Sequence, residues 1–140
     1  MNGENVSNEQ INEQPKPRWF IDLGWYQQNS RSLSTLAKNY LCAKCRKRLN
    51  AEEKEVPAAK LISTIKGCCA SDPQFITDKL PILESIFRLF IANGNQPMDL
   101  EELSKQLSER RGGDTYHTSV EILSRLLKNE GYYGLRQVPD

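Results

Sequence analysis

Residues 78–94 read DKLPILESIFRLFIANG, a strongly apolar stretch around which the rest of the chain must pack. Asp78 is a residue type that caps helix starts and Gly94 one that follows helix ends, so the stretch predicts a helix from Asp78 to Asn93. Its apolar side chains occur nearly all round a helical wheel, whereas a surface helix has a single apolar stripe. We therefore expect this helix to lie at the centre of the core.

Two capping-box patterns follow this helix. Each has a capping residue with a glutamate three positions later, Asp99 with Glu102 and Thr118 with Glu121. The two patterns predict helices that end near Arg110 and Lys128 and turn their leucines inward. Residues 132–138 are rich in β-prone side chains and predict a short strand at the C-terminal end.

This order of a helix, a capped helix, a turn, a capped helix and a β-prone segment resembles the winged helix-turn-helix superfamily over residues 78–138. The resemblance implies that the helix from Thr118 to Lys128 occupies the position that enters the DNA major groove, and that residues 132–138 form the wing. The residues that it implies as groove-facing are Tyr116, His117, Ser119, Ser124, Arg125 and Lys128. Of these, Arg125 and Lys128 are candidates for binding nucleic acid.

The part of the chain before residue 78 predicts two helices that lie beside cysteines. Leucines, an alanine and a tyrosine at helical spacing indicate the first, from about Ser30 to Leu41. Pro57 suits a first helical residue and Gly67 suits the position after a helix, so the second should lie between them.

Four cysteines occur as a Cys42-Ala-Lys-Cys45 pair and an adjacent Cys68-Cys69 pair, with 22 residues between the pairs. A Cys-x-x-Cys pair presents two sulfurs on one turn, and adjacent cysteines can both reach one ion where a helix ends. We interpret the set as a zinc-ribbon-like knuckle with a structural Zn²⁺, because four thiolates close the coordination sphere. The alternatives are an iron–sulfur cluster, disulfides, a redox pair and unlinked buried thiols.

The first cysteine pair lies within a basic stretch. Its four cationic residues are Lys44, Arg46, Lys47 and Arg48. They either compensate the negative charge of the metal-bound thiolates or contact phosphates, and we include them among the candidate nucleic-acid-binding residues.

Residues 18–26, RWFIDLGWY, contain four aromatic side chains. The main interpretation is an extended segment whose rings pack onto the core, and the functional alternative is stacking on bases.

Charge divides the chain unevenly. Residues 1–14 carry −3, residues 15–54 carry +6 and residues 99–140 carry −2. We predict a disordered tail at 1–14, a unit at 15–77 with the aromatic segment, the zinc knuckle and its helices, and a winged-helix-like domain at 78–140. The predicted fold class is mainly α, with the small knuckle and its flanking helices packed on the C-terminal unit.

The composition narrows the function. A net charge of +1 disfavours coating of nucleic acid by charge alone, and a single histidine excludes mechanisms that need two. Because the chain has no phosphate-binding loop, nucleophile elbow or His-Glu-x-x-His motif, we expect no enzyme. Without a signal peptide or a membrane-spanning run, we expect a cytoplasmic protein.

We therefore expect a non-enzymatic zinc-binding protein that associates with DNA or RNA, of a transcription or translation type. The alternative is an adaptor held in a protein complex, which would dock through the acidic winged-helix-like half of the chain and the aromatic segment at residues 19–26. Winged helices also serve as protein-interaction modules, and the acids Glu121 and Glu130 on or next to the presumptive reading helix favour that use.

Overall fold

The computed structural model of the chain describes residues 16–50, 55–113 and 116–139. The predicted disordered tail at 1–14 lies outside the described residues. Within these ranges the protein is mainly helical with a small sheet, which confirms the predicted class at that level. None of the described helices is both long enough and apolar enough to cross a membrane.

The described ranges contain seven α-helices and three strands. In chain order they are β1 (Arg18–Ile21), α1 (Leu23–Gln28), α2 (Leu33–Lys38), α3 (Ala43–Asn50), α4 (Ala58–Gly67), α5 (Ile82–Ala92), β2 (Met98–Asp99), α6 (Leu100–Arg110), α7 (Val120–Lys128) and β3 (Leu135–Gln137). Two short 3₁₀ helices, Cys69–Ser71 and Pro73–Phe75, connect α4 to α5.

The sheet is built around its N-terminal strand. β1 lies between β2 and β3 and is antiparallel to both, with Trp19 opposite Met98 on one side and Gln137 on the other. Beyond the short β2, the side-chain amide of Asn95 takes the place of a strand. Its oxygen accepts from the Ile21 N–H at 2.8 Å and its nitrogen donates to the Ile21 carbonyl at 2.9 Å. The 15–77 segment therefore supplies the central strand of a sheet whose outer strands belong to 78–140.

Helix α5 lies at the centre of the core, as the apolar side chains nearly all round the helix predict. Ile86, Phe87, Phe90 and Ile91 are all fully buried. The helix starts at Ile82 and not near Asp78, because Pro81 occupies the capping position and a proline disfavours helical geometry in the residue before it.

Helices α6 and α7 also form where the sequence predicts them. Asp99 caps α6 by accepting from the Glu102 N–H at 2.8 Å. At α7 the cap is Ser119, whose hydroxyl accepts from the Ile122 N–H at 3.3 Å, and not Thr118. Thr118 is buried, and its carbonyl accepts from the Ser104 hydroxyl at 2.6 Å, so it lies in the packing between the two helices.

The turn between α6 and α7 is anchored by a buried arginine. Arg111 donates hydrogen bonds of 2.7–3.2 Å to the Ser85 hydroxyl and to three carbonyls, those of Thr77, Asp78 and Leu80. A buried guanidinium needs such partners, since each unsatisfied donor would be costly. The residues before α5 are thereby fixed to the end of α6.

The aromatic segment is not extended throughout. Asp22 accepts from the Gly24 N–H at 3.0 Å, which ends the strand and starts α1. Trp25 and Tyr26 are buried, and the Tyr26 hydroxyl donates to the Tyr133 carbonyl at 2.5 Å. These two rings pack onto the core as expected, although the backbone that carries them is helical.

We predict that Gly134→Ala destabilises the fold more than Gly112→Ala does. Both glycines have a positive φ, +68° and +75°, so an alanine is strained at either position, at a cost of about 1–3 kcal/mol. A Cβ at Gly134 would also come within 2.8 Å of the Trp25 and Tyr26 rings, whereas one at Gly112 meets nothing within 4 Å. We expect the extra overpacking to cost about 1–3 kcal/mol in denaturant unfolding. Equal losses in the two variants would contradict the close packing of the 132–134 turn on α1.

Candidate metal centre

The four cysteines meet at one place in the fold. Their sulfur atoms all lie within 4.8 Å of one another, with 3.2 Å from Cys42 to Cys69 and 3.9 Å from Cys42 to Cys68. Cys45 and Cys69 are buried, Cys42 and Cys68 are partly exposed, and all four are free of disulfide bonds. The two sequence pairs therefore form one cluster.

The start of α3 positions the first pair. The Cys42 carbonyl accepts from the Arg46 N–H at 2.9 Å, so Cys42 stands at the capping position and Cys45 in the first turn. The sequence analysis assigned no helix to the basic stretch that begins here. Burial of Cys45 and Leu49, four residues apart, gives α3 its inward face, a pattern that is too short to stand out among the charged residues.

The end of α4 positions the second pair. Gly67 is the last residue of α4, and Cys68 leaves helical geometry with φ −138° and ψ −66°. Cys69 then opens a 3₁₀ helix. Because the backbone changes direction between them, both adjacent sulfurs reach the cluster, as the sequence analysis required of a helix end.

The fold gives the thiols unequal acidities. The Cys45 backbone N–H donates to the Cys42 sulfur and, together with the Cys69 side chain, lowers the pKa of Cys42 to about 7. Burial raises the pKa of Cys45 and of Cys69. The start of a helix also favours a thiolate at Cys42. In the absence of a metal ion, Cys42 is therefore the first of these three thiols to ionise.

The size of the cluster fits a single ion. Metal–sulfur bonds of about 2.3 Å in a tetrahedron place the sulfurs about 3.8 Å apart. The separation between Cys42 and Cys68 is 3.9 Å and that between Cys42 and Cys69 is 3.2 Å, so small shifts of the side chains would complete the tetrahedron. The four cysteines could therefore hold one metal ion.

Polar groups around the cluster are placed to offset negative charge on its sulfurs. The Cys42 N–H donates to the Cys69 sulfur at 3.1 Å, and the Arg48 guanidinium lies 3.9 Å from the Cys45 sulfur. Arg110, in the last turn of α6, donates to the Ala70 carbonyl at 2.8 Å. This hydrogen bond ties α6 to Ala70, the residue that follows Cys69.

The four basic residues beside the first pair are all exposed on α3. Arg46 donates weakly, at 3.4 Å, to the carbonyls of Asn39 and Leu41. Lys44 and Lys47 form no hydrogen bond or ion pair with any described residue.

The remaining candidate residues are on a different helix. Arg125 and Lys128 are exposed on α7, and Lys128 lines a groove of about 480 Å³ together with Ser124, Trp19 and Arg136. Tyr116 and His117, before α7, are exposed and pack edge to face at 5.0 Å. The structure therefore brings the cysteines together but leaves the basic candidates on two separate helices.

One acid that the sequence analysis placed beside the reading helix is buried. The Glu130 carboxylate accepts from the backbone N–H groups of Tyr132, at 2.5 Å, of Tyr133, and of Leu135, at 2.8 Å. The carboxylate therefore stabilises the turn before β3 and does not point into solvent, where a ligand could meet it. The only signal in the sequence is a glutamate just before the Gly131 turn, which does not distinguish this role from an exposed one.

Comparison with protein-family models, curated proteins and solved structures found no match. Similarity to known proteins therefore assigns neither a family nor an activity to this chain. The geometry of the cluster and the surface around it are what bear on function.

We predict that iodoacetamide labels Cys42 before Cys45 in the reduced, metal-free protein. The Cys42 thiolate fraction rises as the pH rises through about 7, whereas the Cys45 pKa is raised and its side chain is buried. Mass spectrometry across pH 5–9 measures each rate, and a bound metal ion should slow all of them. Simultaneous labelling of all four cysteines with a midpoint above pH 8 would contradict the unequal acidities.

Proposed function

We propose that this chain is a non-enzymatic, zinc-binding protein that associates with nucleic acid. One observation carries the proposal: α3 begins at the four-cysteine cluster and presents four exposed basic side chains, Lys44, Arg46, Lys47 and Arg48. A metal ion at the cluster would fix the start of the helix that bears this charge.

Zinc is the ion that best suits four cysteine ligands in a tetrahedron, and a closed set of four thiolates is typical of a structural site. Cys42 and Cys45 would bind it from the start of α3, and Cys68 and Cys69 from the end of α4. The bound ion would link these two helix ends. Its thiolate complex carries a charge of −2, which the Cys42 N–H and the Arg48 guanidinium would partly offset.

The unpartnered lysines of α3 support phosphate binding. Lys44 and Lys47 form no hydrogen bond or ion pair with any described residue, so their ammonium groups need not leave another partner to contact a phosphate. The surrounding segment, 15–54, has a charge of +6 in a chain of net +1. Local charge of this kind supports nucleic-acid binding better than the average charge would suggest.

The C-terminal unit supports a winged-helix-like second contact. Its order of α5, β2, α6, α7 and β3 is compatible with the resemblance, and α7 exposes Arg125 and Lys128. Burial of the Glu130 carboxylate removes one negative charge from the surface near α7. β3 pairs with β1. In this proposal β1 would act as the partner strand that a wing hairpin otherwise contains.

The adaptor alternative loses part of its surface. Trp25 and Tyr26, two of the aromatic residues that it would use, are buried in the core. What remains for docking is the acidic charge of 99–140 and the partly exposed side chains of Trp19 and Phe20. Docking that combines apolar contacts with a few charges should depend less steeply on salt than phosphate contacts, which release counterions.

We predict that protein purified without chelators carries one zinc ion per chain. Removing the ion should lower the melting temperature by roughly 10 °C or more, because metal binding and folding are coupled. Cys45→Ser should lower the zinc content, and Ala43→Ser, which introduces the same side chain between the two cysteines, should not. Elemental analysis and thermal unfolding are the measurements. Metal-free protein with an unchanged melting temperature, or brown protein with iron and sulfide, would exclude structural zinc.

We predict that Lys44→Gln/Lys47→Gln weakens binding to a fluorescein-labelled 20-nucleotide DNA, single-stranded or duplex. Two lost phosphate contacts should flatten the slope of log K against log salt by about 1.4–1.8 units. The matched control is Lys79→Gln/Lys105→Gln, which removes the same charge from exposed lysines outside α3. Fluorescence anisotropy between about 50 and 200 mM salt measures both, with zinc content as the check on folding. The proposal fails if wild-type protein binds neither DNA nor the equivalent RNA at about 100 mM salt, or if both double variants lose affinity equally.

A further inference from the structure

The outer face of the sheet carries an aromatic side chain between two arginines. Side chains alternate along a strand, and Trp19 and Ile21 pack against the core. Arg18 and Phe20 therefore lie on the opposite face, where Arg18 is exposed and Phe20 is partly exposed. In the register of the sheet Arg136 stands directly opposite Phe20, so the exposed Arg136 shares this face.

The two arginines are not used within the fold. Neither guanidinium forms a hydrogen bond or ion pair, or lies over an aromatic ring, among the described residues. The acid nearest in register is Asp99, which stands opposite Arg18. Its carboxylate accepts from the Glu102 N–H at 2.8 Å as the cap of α6. The face therefore presents a partly exposed ring with two arginines beside it, and the one carboxylate that stands opposite them in register is held at the start of α6.

We propose that this face, Arg18, Phe20 and Arg136, binds single-stranded nucleic acid. A base would stack on the Phe20 ring, and the adjoining phosphates would contact the two guanidinium groups. Both parts of the surface match such a ligand in chemistry and in charge, and a base within a duplex does not expose its flat face for stacking. This inference rests on the proposed nucleic-acid association and names the form of nucleic acid that the sheet would bind.

Arg136 connects the proposed face to the neighbourhood of α7. It also lines, with Lys128, the groove of about 480 Å³ between β3 and α7, and none of the residues lining that groove is acidic.

The test compares two substitutions of Phe20. Phe20→Leu keeps an apolar side chain but removes the ring, and should weaken binding to a 12-nucleotide oligothymidylate about tenfold or more, the effect expected for one stacked base. Phe20→Tyr keeps the ring and should stay within about twofold of wild type. Binding to a 12-base-pair duplex should be the same in all three proteins. Thermal unfolding and zinc content confirm that each variant is folded.

The contribution of the two arginines is tested separately. Arg18→Gln/Arg136→Gln should weaken oligothymidylate binding and flatten its salt dependence by about 1.4 units, relative to the control Lys79→Gln/Lys105→Gln. Equal affinities of the Phe20→Leu and Phe20→Tyr proteins would overturn the stacking, and so would an equal loss on the duplex. If oligothymidylate binding depends on Lys44 and Lys47 but on none of the three sheet residues, the sheet face is excluded and the proposed function stands. If the wild-type protein binds no nucleic acid at all, both fail.

Discussion

The pairing of β1 between β2 and β3 joins the two ends of the chain, and the rest of the fold depends on it. Closing a loop of this length costs conformational entropy, which the local hydrogen bonds of a four-residue strand do not offset alone. Burial of Ile21 and the packing of Trp19 supply the apolar contribution, and the Asn95 amide satisfies the Ile21 backbone where β2 is too short to reach. The two faces of β1 differ in environment. Trp19 and Ile21 on one face pack against the core, whereas Phe20 on the other face is partly exposed.

The cysteine cluster bears on the stability of α3. An isolated helix of eight residues is not stable in water, and neighbouring positive charges at Lys44, Arg46, Lys47 and Arg48 repel one another. Burial of Cys45 and Leu49 holds one side of the helix. An ion bound by Cys42 and Cys45 would hold its first turn, and the ligands from the end of α4 would fix its direction. The proposed zinc and the proposed phosphate contacts are therefore linked, because an ion at the first turn would help to order the helix that carries the charged face.

The sequence predicts those parts of the structure that local patterns determine. Helices α5 and α6 follow from apolar periodicity and from the Asp99 cap, and the four cysteines follow from their residue type and spacing. The sequence analysis missed the parts that tertiary contacts determine. The guanidinium of Arg111 binds carbonyls from an earlier segment, the carboxylate of Glu130 binds the turn that follows it, and both are charged residues that composition alone assigns to the surface. Helix α3 was missed because its inward face consists of only two residues, one of them a cysteine.

The distribution of charge explains why a ring on the sheet would matter to such a protein. With a net charge of +1 the molecule has little overall attraction for a polyanion, so its affinity for nucleic acid must come from a few local contacts. Contacts between lysines and phosphates weaken as salt rises, because releasing counterions into a more concentrated solution gains less entropy. Stacking on an aromatic ring does not depend on counterion release and keeps its strength at the ionic strength of a cell. A basic helix and a separate stacking surface would therefore complement each other. The helix would attract the ligand, and Phe20 would retain it where charge alone is too weak.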